Sequence, residues 1–192
     1  MSSGISEKRH AWLAADRPAP APQPVKHAIL RKYATRHYLR TLVETGTYAG
    51  GTIAALAGDF PRIYSIELDD TLYERACARF ARARHIRLLH GDSADVLPAL
   101  LPRLTDPTLF WLDGHYSGPG TAKGRRETPI VEEISAILAH PVPGHVILVD
   151  DARVFVTWPD YPTLDEFRHL IATERAALAF TLTDDIIRIH ET

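Results

Sequence analysis

The chain has 192 residues, 45% of them apolar and 24% charged, with 22 basic against 24 acidic side chains. That is enough for one domain with a sizeable core, and the near balance of charge speaks against a nucleic-acid partner. No apolar run approaches the ~20 residues of a membrane-spanning helix, and residues 1–10 lack the apolar stretch of a secretory signal, so a cytoplasmic protein without a membrane partner is expected.

Residues 1–24 read as a flexible Pro/Ala-rich tail, because Arg17-Pro18-Ala19-Pro20-Ala21-Pro22-Gln23-Pro24 favours extended polyproline geometry; the domain is expected over 25–192. A helix is expected over 25–39, where Ile29, Tyr33 and Arg36-His37 recur at helical spacing. Strands and helices then alternate: a strand over 41–45, a helix over 50–57 and a strand over 62–67. The next helix, over 71–82, puts Leu72, Ala76 and Phe80 on one face and Arg75, Arg79 and Arg82 on another, a basic stripe that reads as a solvated face. Its Cys77, the chain's one cysteine, excludes an intrachain disulfide and reads as a small buried residue.

A strand over 86–90 leads to Gly91-Asp92-Ser93 and a short helix interrupted or begun at Pro98. A strand over 109–113 runs into a Gly-rich connection, 114–128. Thr128-Pro129 reads as N-cap and first residue of a helix with Ile130, Ile134, Ile137 and Leu138 inside, stopped by Pro141 and Pro143-Gly144. Residues 146–149 form the continuous apolar run of a buried parallel strand. Thr163 and Glu166 make a capping box for the last helix. Strands over 180–183 and 186–190, separated by Asp184-Asp185, predict a hairpin. Five strand–helix units and a closing hairpin predict an α/β fold: a doubly wound, mostly parallel seven-stranded sheet with a C-terminal antiparallel hairpin.

The strands before the hairpin end in Glu44, Glu67, Asp92, Asp113 and Asp150-Asp151. One such acid is a helix cap, but an acid at every strand end is hard to attribute to capping alone. In doubly wound sheets the ligand lies outside the carboxyl ends of the strands, at the switch point. Gly46 lets the backbone turn and approach a ligand closely, Thr47 lies in the same loop, and Gly50 and Gly51 permit close packing at the helix start. Glu44 is placed for the amino-acid end of S-adenosylmethionine. Glu67 can accept from both ribose hydroxyls, and Asp92 and Ser93 sit where an adenine edge is read. A dinucleotide site is the competing reading. Against it, the loop is Gly46-x-x-x-Gly50 rather than G-x-G-x-x-G, and Glu44 would repel a pyrophosphate.

Taken together, Glu44-x-Gly46-x-x-x-Gly50, Glu67, Gly91-Asp92-Ser93 and the strand-four acid resemble the class I S-adenosylmethionine-dependent methyltransferases over about residues 40–190. Metal-dependent catechol-type and macrolide-sugar-type O-methyltransferases carry an Asp after strand four and an Asp-Asp or Asp-Asn pair after strand five, and Asp113 and Asp150-Asp151 match that pattern. The resemblance implies that these carboxylates hold Mg²⁺ or a similar ion that fixes and acidifies a substrate hydroxyl, with Asp113 also beside the cofactor. The alternative is that they orient loops and cap helices without metal.

His115, two residues after Asp113, is the candidate general base, since an ordinary histidine pKa of ~6.5 suits proton removal near neutrality. In the sugar-type relatives an acid stands at this offset. A ligand, a substrate donor and a surface loop histidine are the other readings. The segment 116–127, with three glycines, reads as a lid over the reacting centre. Tyr116, Lys123, Arg125 and Arg126 are candidates for contacting the acceptor, with Arg153, Phe155, Trp158 and Tyr161 as an opposite wall. The expected function is methylation of a hydroxyl on a small-molecule acceptor. An inactive nucleoside-binding scaffold and an aminopropyl transferase are the competitors. No Asn-Pro-Pro-Tyr-like element follows strand four, which speaks against a nucleic-acid methyltransferase. The sequence leaves a homo-oligomer open.

Overall fold

The computed structural model describes residues 11–12, 14–114, 128–156 and 160–192. Its strands are β1 (Thr41–Thr45), β2 (Arg62–Glu67), β3 (Ile86–His90), β4 (Leu109–Leu112), β5 (Val146–Val149), β6 (Leu178–Thr183) and β7 (Ile186–Glu191). The α-helices are α1 (Gln23–Arg36), α2 (Gly51–Leu56), α3 (Asp70–Phe80), α4 (Ser93–Leu100), α5 (Ile130–Ala139) and α6 (Leu164–Glu174). The seven strands form one sheet in the order β3-β2-β1-β4-β5-β7-β6. β1 to β5 are parallel, and β7 runs antiparallel to both β5 and β6. The sheet and its terminal hairpin are therefore as the sequence predicts. Asp184 and Asp185 make the hairpin turn with φ of 60° and 62°, a left-handed pair that fits the twist of the flanking strands.

Some local expectations shift. Pro98 lies inside α4, which continues as a 3-10 turn over Leu101–Arg103. α5 begins one residue late: Pro129 is its N-cap, and the Thr128 hydroxyl accepts from Ile130 N at 3.3 Å. Proline's fixed φ suits that boundary, and its missing N–H leaves Ile130 as the first donor Thr128 can meet. Cys77 is only partly buried on α3. In the Pro/Ala-rich stretch, Trp12 and Ala21 pack against Val25 of α1, Trp12 Nε1 donates to Pro18 O at 2.8 Å, and Arg17 pairs with Asp184 at 3.1 Å.

The sheet divides the core in two. Val43, Ile66, Phe110, Leu112, Ile147 and Val149 face α4, α5 and α6. Leu42, Ile63, Trp111 and Leu148 face α1 and α2. Side chains alternate along a strand with period two, so that second face continues directly into the strand-end acids.

Candidate active site

Register brings four of those acids to one side. Glu44 lies opposite Ser65 and Trp111, and Trp111 lies opposite Leu148. Counting by twos, Glu67, Asp113 and Asp150 share the face of Ser65, Trp111 and Leu148, the face that α1 covers.

At the β1 and β2 ends the polar groups interlock. Glu44 is 2% exposed and accepts from Ser65 Oγ at 2.6 Å. Ser65 has one proton, so Thr47, 2.6 Å from it, is the donor to Ser65. Burial lifts the Glu44 carboxyl to about 7, against the pull of the Ser65 and Thr52 hydroxyls, and the nearby Glu67 charge adds to the rise. Glu67 accepts from Tyr48 N at 2.7 Å through Oε2 and from Asp69 N at 2.9 Å through Oε1. The turn after β1 is thereby fastened to the end of β2. Each Glu67 oxygen keeps a second lone pair for a hydroxyl donor.

Gly46 has φ +83°, and a Cβ there would sit 2.5 Å from the Asp113 carbonyl oxygen. The close approach is thus to the backbone of the neighbouring strand end. Gly50, the N-cap of α2, has φ +70° and faces Phe80. Gly51 has nothing within 4 Å of a built Cβ, so close packing at the helix start belongs to Gly50 alone.

At the β3 end, Asp92 caps α4 by accepting from Ala94 N at 3.0 Å. Ser93 is buried and engages Glu133 of α5. Sequence reasoning missed Glu133, because an acid in the first turn of a helix reads as a partner of the helix dipole. It is 1% exposed, and burial pushes its carboxyl from an ordinary 4.5 to about 7. A folded-state pKa above the unfolded one means that the fold holds a proton the open chain releases. The associated stability, about 3 kcal/mol for such a shift, is present at low pH and lost as pH rises from about 4.5 to about 7. Glu133→Gln keeps the neutral shape, so urea titrations should show a shallower loss of stability between pH 5 and 8 and a variant more stable than the parent at pH 8. Parallel pH profiles for the two proteins would contradict this assignment. Glu44, Asp113 and Asp150 shift in the same direction and contribute to the slope that remains.

The β4 and β5 ends carry the acidic centre. Asp113, Asp150 and Asp151 each place one oxygen within 4.8 Å of the others. Burial, and then the Asp150 charge, lifts Asp113 well above the usual carboxylate range; burial and Asp151 lift Asp150 to about 6. Asp151 has φ +55° and donates its N–H to Asp150 Oδ1 at 2.9 Å.

Into this group comes Lys26 of α1, 6% exposed, its Nζ bonded to Asp150 and 3.6 Å from Asp151 Oδ1. Burial alone would lower the ammonium pKa, but the Asp150 charge and hydrogen bond, with Asp151 and Asp113, outweigh it and raise it. Arg153 donates to Asp151 at 2.7 Å and also bonds Asp185, so its guanidinium is engaged with carboxylates of its own chain. Hard carboxylate oxygens suit a divalent ion, yet Asp150 and Asp151 already meet two cationic side chains. With Lys26 in place the residues do not fit a resident Mg²⁺.

Phe155 belongs to the core, edge-on to Tyr161 with ring centroids 4.9 Å apart. Burial raises the Tyr161 phenol pKa, opposed by the Thr128 hydroxyl and reinforced by Glu133, Asp151 and Asp113, which puts Tyr161 on the border of the acidic group. His115, Tyr116, Lys123, Arg125, Arg126 and Trp158 lie outside the described residues. No helix among the described residues is long and apolar enough to cross a membrane.

No protein-family model matches the chain, and no curated protein matches it. Solved structures do. The O-methyltransferase TomG from Streptomyces achromogenes, involved in tomaymycin synthesis and solved with S-adenosylmethionine, superposes with a TM-score of 0.66 at 22% identity, over 100% of this chain and 91% of that one. An O-methyltransferase from Bacillus cereus in complex with S-adenosylhomocysteine gives 0.67 at 19% identity, over 100% and 92%. The S-adenosylhomocysteine-bound methyltransferase PaMTH1 of Podospora anserina gives 0.63 at 16% identity, over 100% and 89%. Strand order, terminal hairpin and these superpositions agree: the chain has the Rossmann-like fold of the class I S-adenosylmethionine-dependent methyltransferases.

Proposed function

We propose that the protein is an S-adenosylmethionine-dependent methyltransferase acting on a hydroxyl of a small molecule. The observation that carries this reading is the convergence of Glu44, Glu67, Asp113 and Asp150 on one side of the sheet, around the turn at Gly46. Glu67 would bind the ribose hydroxyls, Glu44 the ammonium end of the donor, and Asp92 the adenine edge. The acceptor hydroxyl would lie against Asp113 and the Lys26–Asp150 pair. Its oxygen attacks the methyl carbon, the carbon–sulfur bond breaks, the sulfonium becomes a neutral thioether, and the hydroxyl proton leaves to a base. His115 is the proposed base and Asp113 the group that orients the hydroxyl; alignment of oxygen, carbon and sulfur supplies much of the rate. Tyr116, Lys123, Arg125 and Trp158 are the proposed acceptor contacts. The O-methyltransferase neighbours support an oxygen acceptor.

The test is a transfer assay with methyl-labelled S-adenosylmethionine and a panel of catechols, phenolic acids and sugars, with matched amines as controls. Label on a hydroxyl oxygen, with one S-adenosylhomocysteine formed per product, is the expected result. Binding of the donor without transfer to any acceptor would favour a scaffold. Turnover only with decarboxylated donor would favour aminopropyl transfer.

A further inference from the structure

We propose that the Lys26 ammonium stands where a divalent cation would sit on the strand-end carboxylates, so that the acceptor site is a lysine-neutralised centre rather than a metal centre. The proposal rests on reading this crevice as the acceptor side of a methyltransferase.

Lysine is almost never buried unless it is paired, because the charge loses its water. Here the Lys26 side chain is 7% exposed and that of Asp150 is fully buried. The helix explains how it gets there. Lys26 lies four residues before Leu30 and eight before Ala34, and all three are buried on the side of α1 that packs on the sheet. Leu30 and Ala34 seat the helix against Leu42 and Trp111, and the next turn back carries Lys26 over the carboxyl end of β5. The four-carbon stem covers apolar surface while Nζ reaches the acids.

Two of the three clustered carboxylates already meet cations: Asp150 is paired with Lys26, and Asp151 lies near Lys26 and is bonded to Arg153. Arg153 approaches Asp151 from the side of the β6–β7 turn, where it also holds Asp185, and Lys26 approaches from α1. A divalent ion bound to the same oxygens would stand within a few ångströms of the ammonium, and like charges at ~4 Å in a buried site repel strongly. The metal and Lys26 therefore compete for one position. The ammonium can also do part of the metal's work: it donates a hydrogen bond to an acceptor oxygen where a metal would bind a lone pair, and its charge favours loss of the hydroxyl proton.

Chelator-treated wild type, Lys26→Met and the double variant Lys26→Met/Asp150→Asn should be titrated with Mn²⁺ by calorimetry and by electron paramagnetic resonance. Wild type should show no saturable site below about 1 mM, and its melting temperature should not respond to EDTA. Lys26→Met should gain one Mn²⁺ per chain, bound at least ~10-fold tighter than by wild type, and the double variant should lose it again. Folding of Lys26→Met only in the presence of Mn²⁺ would support the proposal equally. One tightly bound Mn²⁺ on wild type would overturn it, as would a folded Lys26→Met that binds no better than wild type. Should Lys26→Met fold under no condition, the wild-type titration decides. S-adenosylhomocysteine added to the same samples separates this proposal from the one it rests on: wild type that binds both nucleoside and Mn²⁺ refutes only the lysine-neutralised centre.

Discussion

Gly46→Ala is expected to weaken S-adenosylhomocysteine binding by ~100-fold or more and to lower stability by roughly 2–4 kcal/mol. Two independent effects combine. The residue sits at φ +83°, where a Cβ clashes with its own backbone, and that Cβ would press to 2.5 Å from the Asp113 carbonyl oxygen and 3.1 Å from Gly114 Cα. Neither obstacle is the end of a flexible side chain. Both belong to the backbone after β4, which is held by Asp113 N donating to Thr45 O at 3.2 Å. Relief must come from opening the β1–β4 junction, and that junction is the floor of the proposed nucleoside site. Gly51→Ala is the internal control. It lies in the same loop-to-helix segment, has open space around its Cβ and helical geometry, and should leave both binding and stability nearly unchanged. Chemical denaturation and calorimetry on the two variants check the contrast. Equal behaviour would mean that the turn is not where the ligand approaches.

The strands were legible because each is an apolar run with a polar stop. β1, β2, β3 and β5 have the bounds expected from residues alone. The acids at their ends were legible for the same reason. That Glu44, Glu67, Asp113 and Asp150 fall on one face takes the register between strands as well as period two. The Thr163–Glu166 capping box is also present in both of its hydrogen bonds. What stayed hidden depends on which side of a helix meets the sheet. The residues that recur at helical spacing over 25–39 are Ile29, Tyr33 and Arg36-His37, whereas the structure buries Val25, Lys26, Leu30 and Ala34. A lysine in that buried stripe carries enough methylene to pass as part of an apolar face, and its partner lies 124 positions away. The signal was available in retrospect: a buried carboxylate pair after β5 needs a cation, and Lys26 stands in register with Leu30 and Ala34. Glu133 was hidden similarly, since only the packing of α5 on the opposite face reveals that it is buried beside Ser93.

Glu67 is the position at which the nucleoside claim is most exposed. Its two oxygens accept from two different backbone N–H groups, Tyr48 N at 2.7 Å and Asp69 N at 2.9 Å. A glutamine has one oxygen and one NH₂, so in either orientation Glu67→Gln sets a donor against a backbone donor. Leaving a largely buried donor unsatisfied costs about 1–3 kcal/mol, and the substitution also removes one of the two acceptors offered to the ribose hydroxyls. With the amide NH₂ toward Tyr48 the turn loses that one bond to β2, while Gly46 N and Thr47 N still donate to Ile66 O. The fold should survive, because β1 and β2 stay paired along the whole of Thr41–Thr45.

The decisive measurement is calorimetric titration of wild type and Glu67→Gln with S-adenosylhomocysteine, side by side. The account predicts one nucleoside bound per wild-type chain and binding weakened about tenfold to a hundredfold in the variant. A wild-type chain that binds no nucleoside, or a variant that binds as tightly as the parent, would show that these carboxylates do not frame a donor pocket.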